Sequence, residues 1–374
     1  MPEQIIPNLY RIPVPLPGNP LKELNAYLIR GTDRPLLVDT GFRQEPCRQA
    51  LFSQLAELGL GPGDVDVLLT HLHSDHAGLA PEAAGERGVI YVSSLDRPML
   101  DCTSQQRARR WEDITRRFAA EGFPAHLLAD LERTNPARSM APPEGGRYES
   151  LSDGQVLEAG GFQLKALLMP GHTPGQMCFW LEKEGLMLTG DHVLFDITPN
   201  ITSWPEMPDA LGSYLDSLDA IRAYDPIRSL PGHRAAGELA ARVDQLKEHH
   251  RLRLEEAFQA VKNHPGAGAY ELAGYMTWKI RANSWAEFPV AQKWFAVGEC
   301  MSHLDRLMVQ GRITRRVEDG QNRYQAVEET GSGPPLPVSS IRKPIFEGCI
   351  TGRIRRPWPS APHGCPPRRC RSRR

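Results

Sequence analysis

The sequence predicts an α/β fold followed by a small helical unit with a two-stranded wing, and three observations carry that expectation. Short apolar runs of strand length recur from residue 5 to about 230. Stretches of helical length with apolar residues on one face fall between several of them. Beyond residue 240 the strand signal gives way to helices and one hairpin pattern.

Taken in order, residues 5–40 read as short strands. Asn25–Ile29 and Pro35–Asp39 are apolar runs separated by the turn residues Gly31-Thr32-Asp33-Arg34. A helix is expected over about 45–58, with Leu51, Leu55 and Leu58 on one face, and Gly59 to Gly63 break it. Val65–Leu69 then reads as a buried strand, and Val89–Val92 as another. Residues 96–133 look helical, with Trp111, Ile114 and Phe118 at helical spacing among arginines, and Asn135–Gly146 reads as a loop. From Val156 to Thr189 the pattern returns to strands, and a helix over about 209–223 leads to Ser229–His233. A polar helix from near Ala235 crosses into the second unit. There Val290, Trp294, Val297, Met301, Leu304 and Met308 give one amphipathic helix. Ile313–Val317 and Arg323–Val327 flank Glu318–Asn322 as a hairpin. The expected division is 1–240 for the α/β domain, 241–328 for a helical, winged-helix-like domain, and 329–374 for a disordered basic tail.

Composition narrows the function classes. The chain has 374 residues, 40% hydrophobic and 24% charged, which suits a soluble globular protein with a sizeable core. Met1–Leu16 holds four prolines and one basic side chain, unlike a secretory signal, and no run reaches the length of a membrane span. Seven scattered cysteines predict reduced thiols and a cytoplasmic location. The net charge of −1 hides an asymmetry: residues 341–374 carry ten Arg or Lys and one acid, leaving the rest with 34 basic and 44 acidic residues, a net charge of −10. An acidic body is a poor long-range attractor for nucleic acid.

One stretch carries the chemistry. Thr70-His71-Leu72-His73-Ser74-Asp75-His76-Ala77-Gly78 packs three imidazoles and a carboxylate into six consecutive residues, directly after a strand-like run. Neutral imidazole and carboxylate together suit zinc and other first-row divalent metals. His172, Asp191 and His233 each follow a further strand-like segment and sit beside a glycine, where the backbone can turn sharply.

Taken in this order, these residues resemble the metallo-β-lactamase superfamily, with its Thr-His-x-His-x-Asp-His motif followed by spaced His, Asp and His. The resemblance covers roughly residues 5–240 and fills every ligand position. It implies a four-layer αββα sandwich in which His71, His73 and His172 hold one metal, Asp75, His76 and His233 hold the second, and Asp191 bridges them. It further implies a hydroxide shared by two divalent ions, zinc by default with iron or manganese also suited, and Asp75 orienting it or relaying its proton. Asp39 resembles the family's carboxylate that sits behind the ligands and fixes imidazole tautomers. An aspartate at position 191, where the true zinc β-lactamases carry cysteine, resembles the glyoxalase-II-type, lactonase and nuclease branches. Lactamase-like proteins with a C-terminal winged helix form a subgroup related to glyoxalase-II-like thioesterases, with endoribonucleases among its members.

The leading expectation is a dinuclear metallohydrolase acting on a thioester or ester of a small or carrier-bound acyl group. The insert around Trp111, Ile114 and Phe118 could form one wall of its acyl pocket or pack as ordinary core, and His192, outside the ligand pattern, could line the pocket but reads rather as a surface histidine. The alternative is a metal-dependent nuclease, for which the winged helix and Lys279, Arg281, Arg312, Arg315, Arg316 and Arg323 speak. Glu287, Glu299, Asp305, Glu318 and Asp319 dilute that basic patch. A third reading, a DNA-binding regulator with a relic hydrolase domain, is opposed by the complete ligand set. The exposed faces of the winged helix could equally serve a homodimer.

Overall fold

The computed structural model describes residues 1–280 and 282–327. Arg281 and the expected basic tail lie outside the described residues. The first sheet runs β1 (Glu3–Ile6), β2 (Leu9–Pro15), β3 (Glu23–Ile29), β4 (Leu36–Val38), β5 (Asp66–Leu68), β6 (Ile90–Ser93) and β7 (Tyr148–Leu151), adjacent in that order. Its first four strands pair antiparallel and β4 to β7 pair parallel. Helices α1 (Glu45–Glu57), α2 (Ser74–Ala77) and α3 (Ala80–Ala84) connect β4 to β6. The expected helical stretch at 96–133 is three helices: α4 (Arg97–Leu100), α5 (Ser104–Ala120) and α6 (Ala125–Thr134). Thr103 starts α5 with a capping box closed by Gln106. The breaks at 101–103 and 121–124 have a local cause, because Thr103 caps and Pro124 precedes a fresh start. A short helix, α7 (Pro136–Ser139), interrupts the expected loop.

The second sheet has the order β12-β11-β10-β9-β8, from β8 (Val156–Ala159), β9 (Phe162–Leu168), β10 (Met177–Leu181), β11 (Leu186–Gly190) and β12 (Arg228–Pro231). Helix α8 (Ala210–Arg222), capped by the Asp209 carboxylate on Gly212 N, joins β11 to β12, which pair parallel. Then come α9 (Leu239–Asn263), α10 (Ala269–Gly274), α11 (Val290–Val309) and the hairpin β13 (Ile313–Glu318) and β14 (Gln321–Ala326).

Three buried clusters define four layers. Leu51, Leu55, Ala80 and Ala83 pack on one face of the first sheet. Tyr27, Val38, Leu68, Leu164, Phe179 and Leu188 fill the space between the sheets. Cys178, Met187, Tyr214 and Leu218 join the outer face of the second sheet to α8. The arrangement is an αββα sandwich, as expected for the α/β class. The third cluster continues into Leu246 and Leu254 of α9, Val297 and Met301 of α11, and Tyr324 of β14, so the C-terminal helices share a core with the sandwich. Among the described residues no helix is long and apolar enough to cross a membrane.

Candidate metal centre

Strand ends at one edge of the sandwich deliver the motif residues. β5 is buried and three residues long, so the chain turns at Thr70 and places His71 and His73 before α2, which carries Asp75 and His76. His172 lies in the loop from β9 to β10, Asp191 follows β11, and His233 follows β12. The two sheets are tied together here. Met177 N donates to Thr70 O at 2.8 Å, Asn25 N to Gly232 O at 2.7 Å, and the Tyr27 hydroxyl to Pro231 O at 2.8 Å. At Gly232 a β-carbon would stand 2.5 Å from Asp191 Oδ1 and 2.9 Å from His76 Cε1, so only glycine admits this approach.

The structure brings all seven expected ligand residues together. Among the described residues, three groups offer ligand atoms within 4.8 Å of one another: His71, His73 and His172; His71, His76 and Asp191; Asp75, His76 and His233. Asp191 lies between the outer groups, with Oδ1 3.4 Å from His76 Nε2 and Oδ2 3.5 Å from His233 Nε2 and 3.8 Å from His172 Nε2. Asp75 Oδ2 is 3.3 Å from His233 Nε2.

What lies behind the rings decides which nitrogen faces inward. His76 Nδ1 bonds Asp39 Oδ2 at 2.8 Å, His172 Nδ1 bonds Asn200 O at 2.9 Å, and His233 Nδ1 bonds Glu23 O at 2.7 Å. Carboxylate and carbonyl oxygens only accept, so each Nδ1 carries the proton and each Nε2 turns a lone pair toward the cluster when the ring is neutral. Thr70 Oγ1 donates to Asp39 Oδ2 at 2.8 Å and is 3.0 Å from His71 Nδ1, which extends the same logic to His71. His71 Nε2 and His73 Nδ1 then face each other at 3.0 Å. Two ligands on one tetrahedral zinc stand about 3.3 Å apart, given Zn–N bonds near 2.05 Å. His172 Nε2 and Asp191 Oδ1 are buried without a hydrogen-bond partner. Lone pairs crowded at this distance, and buried acceptors without donors, are what a cation satisfies. The residues fit a divalent metal.

Electrostatics agree with that reading of the donor set. Burial and the neighbouring His76, His73 and His172 rings push His71 far below the usual imidazole range. Burial and His172 push His73 down to about 3. Burial would also lower His76 and His233, yet the Asp39 carboxylate beside His76 and the Asp191 carboxylate beside both raise them, His233 to about 10. Burial would raise Asp75, yet the His76 and His233 imidazoles hold it at about 2. The carboxylate side of the cluster therefore demands positive charge, which protons or a metal ion can supply.

Other expected site residues are placed differently. Phe118 is buried in the core, stacked on Trp294 with ring centres 3.6 Å apart, and Trp111 lies beside the same indole at 6.4 Å. Through these rings the apolar face of α5 packs toward α11, and Phe118 belongs to the core. His192 is fully buried against Tyr214, with burial pushing it down to about 3. Asp39 sits behind the ligands at a φ of 59°, a left-handed conformation that Asp tolerates, and also accepts from Thr70 N at 2.9 Å.

Three contributors escaped the sequence reading. Trp204 stacks beside His73 with ring centres 6.2 Å apart, and its Nε1 donates to His172 O at 3.2 Å. Asn200 holds His172 from behind. Asp96 accepts from Leu72 N at 3.0 Å, Thr173 Oγ1 at 2.9 Å and Gly175 N at 2.7 Å, lacing two ligand loops together. Burial pushes its carboxyl up to about 7 against those three donors. Only Asp96 had a usable signal, since it too follows a strand.

An αββα sandwich with five imidazoles and two aspartates converging at its strand ends defines a metallohydrolase class, and the chain belongs to the metallo-β-lactamase superfamily. The family model of that superfamily matches residues 22–233, and one described as the metallo-beta-lactamase-like C-terminal domain matches 286–327. Among solved structures, a metallo-beta-lactamase family protein from Thermus thermophilus is 30% identical, with a TM-score of 0.71 over 87% of this chain and 100% of that one. A lactamase-like protein of Pestalotiopsis fici is 28% identical over 268 residues, 68% of this chain and 68% of that protein. The atrochrysone carboxyl ACP thioesterase of Claviceps purpurea is 28% identical over 240 residues, 64% of this chain and 59% of that protein.

Proposed function

We propose that this metallohydrolase is dinuclear and cleaves a thioester or ester of a small or carrier-bound acyl group. The observation that carries the dinuclear part is Asp191, whose single carboxylate lies close to members of both triads, 3.8 Å from His172 of one and 3.4 and 3.5 Å from His76 and His233 of the other. In this reading His71, His73 and His172 would hold one ion, Asp75, His76 and His233 would hold the other, and Asp191 would be shared between them. Zinc suits the imidazole-rich triad, and iron or manganese also suits the carboxylate-rich one. Two bound divalent ions would supply Lewis acidity toward the scissile carbonyl and acidify water.

The chain's own residues do the rest. Asp39, Asn200 and the Glu23 carbonyl hold three Nδ1 protons outward, so that Nε2 atoms face the substrate side. Asp75 Oδ2, beside His233, stays ionised and so can accept a hydrogen bond that orients the attacking water or relays its proton. Trp204 gives the pocket a flat apolar wall next to His73. The thioester preference draws on the ACP thioesterase among the relatives and on the acidic body. The basic wing side chains offer less to nucleic acid than their number suggests. Arg312 pairs with Glu255 at 2.7 Å and Arg316 with Glu318 at 2.9 Å. The catalytic unit spans residues 1–240 and the winged-helix-like unit 241–328. Buried free thiols at Cys47, Cys178 and Cys300 suit a reducing, cytoplasmic location.

The test is metal analysis followed by a substrate panel. Purified protein should hold about two equivalents of zinc, iron or manganese, and less than one tightly held ion after anaerobic purification would refute the dinuclear site. Among acyl-CoA, acyl carrier thioester, S-lactoylglutathione, lactone and single-stranded RNA, the thioesters should turn over fastest. Turnover of RNA alone, with a steep loss at higher salt, would overturn the thioesterase reading.

A further inference from the structure

Residues 199–204 form a loop between the His172 imidazole and helix α11. Toward the cluster, Asn200 O accepts from His172 Nδ1 and Trp204 Nε1 donates to His172 O, so this loop sets both the tautomer and the backbone position of His172. Its opposite side is fastened to α11. Asn200 Nδ2 donates to Phe295 O at 3.3 Å and to Glu299 Oε2 at 3.2 Å. Ser302 Oγ donates to Ile201 O at 2.5 Å, Ser203 N donates to Gly298 O at 3.2 Å, and the Ser203 hydroxyl bonds Asp305. A β-carbon at Gly298 would stand 2.4 Å from Thr202 Oγ1, so this glycine lets the loop lie directly on the helix. Glu299 is in turn held by buried Arg253 of α9 at 3.4 Å, whose guanidinium lies 4.2 Å from the centre of the Trp278 ring.

We propose that helix α11 completes the metal site, with Asn200 and Glu299 as positioning residues that aim His172 Nε2 through the 199–204 loop. The proposal rests on the reading of His172 as a metal ligand. Two consequences follow. First, loosening the loop lets the His172 ring turn, and partners behind a ligand imidazole typically account for about 10- to 100-fold in metal affinity. Second, the coupling is reciprocal: if docking of α11 strengthens metal binding, metal binding strengthens docking of α11 by the same factor. The C-terminal unit is then part of the metal centre and not only a neighbour of it.

The experiment is chelator competition with Zn2+ and Co2+ on the full chain, for Asn200→Ala, Glu299→Ala, Glu299→Gln and His172→Ala. Both alanine variants of the anchor should bind about 10- to 100-fold more weakly and shift the Co2+ absorption bands. Glu299→Gln should recover part of the loss, because its amide oxygen still accepts from Asn200. Wild-type affinity and spectrum in Asn200→Ala and Glu299→Ala, with His172→Ala impaired, would overturn the inference alone. Unchanged binding in His172→Ala would overturn the ligand reading beneath it. Hydrogen exchange on the unsubstituted protein needs no variant to fold: saturating Zn2+ should slow exchange across Val290–Val309, and equal exchange with and without Zn2+ overturns the coupling.

Discussion

The two sides of the metal cluster are built by different means. On the β5 side, four candidate ligand residues, His71, His73, Asp75 and His76, come from six consecutive positions, and Asp39 and Thr70 steady them from behind. On the His172 side, a single candidate ligand is backed by a loop whose contacts come from distant parts of the chain. Asn200 reaches Glu299 across 99 positions, and Ser302 reaches Ile201 across 101. The first side concentrates chemistry in residue types. The second distributes geometry over ordinary serines, an asparagine and packed aromatic rings. One edge is thus rich in candidate ligands, while the loop behind His172 is fastened to a helix about 100 positions further along the chain.

Ligand removal should break the comparison most severely. Asp191→Ala takes away the one carboxylate shared by both halves. Turnover is expected to fall by about 1000-fold or more, a loss of roughly 4 kcal/mol or more of transition-state stabilisation. Circular dichroism should show the fold retained, because Asp191 sits in a cluster whose demand for charge is relieved by removing it. Substantial activity in this variant would refute the bridging role.

Asp39→Ala tests the steadying behind the β5 side. It removes the acceptor for Thr70 N, Thr70 Oγ1 and His76 Nδ1, so stability should fall by about 3 kcal/mol and metal affinity by about 10- to 100-fold. Asp39→Asn should lose much less, since Asn also tolerates the left-handed backbone and keeps one acceptor oxygen. Thermal melts and metal titration of the pair decide it. Equal losses in both variants would mean that the second carboxylate oxygen and its charge, not the backbone conformation, set the cost.

These differences explain what was legible beforehand. The strand and helix runs gave an α/β class, and the αββα sandwich came with the family resemblance that the Thr-His-x-His-x-Asp-His motif and the later Gly-His and Gly-Asp pairs carry, because ligand types at strand ends are a local, typed signal. Tyr148–Leu151 was hidden, since its sequence Tyr-Glu-Ser-Leu lies beside a Pro- and Gly-rich stretch and becomes a strand only by pairing with β6. Phe118 was read as a pocket wall because helical spacing shows which face is apolar and not what covers it; Trp294 covers it. Asn200 in Thr198-Pro199-Asn200 looks like any turn, and nothing in its type announces a carbonyl aimed at an imidazole.

A smaller, pH-dependent effect separates the two sides without touching a ligand. His303 of α11 is buried, donates from Nδ1 to Glu299 O at 2.7 Å and faces His250 at 3.4 Å. Burial pushes it down to about 3, from an ordinary value of 6.5. Its folded pKa is depressed, so below 6.5 the unfolded chain binds more protons than the native one, and stability falls as pH drops from 6.5 toward 3. One such group contributes a slope of about 1.4 kcal/mol per pH unit in that window. His303→Gln should remove about one proton from the slope of unfolding free energy against pH, measured by denaturant titration between pH 6.5 and 5. An unchanged slope would mean that His303 takes up its proton in the folded state. Buried His250 of α9 adds to the same trend and should persist in the variant.

The smallest effect is expected at the β13–β14 hairpin, and its smallness is the point. Arg316 and Glu318 form an ion pair at 2.9 Å with both side chains about half exposed, at 59% and 49%. Exposed pairs of this kind contribute at most a few tenths of a kcal/mol, because water already solvates both ends. Arg316→Ala should leave stability within about 0.5 kcal/mol and thioester turnover unchanged. A phosphate-binding wing behaves otherwise: each lost phosphate contact lowers the salt slope of binding by about one. A measured salt slope for single-stranded RNA that drops by that amount in Arg316→Ala would place nucleic acid on the wing. A flat response keeps the wing as part of the scaffold, with α11 as its route to His172.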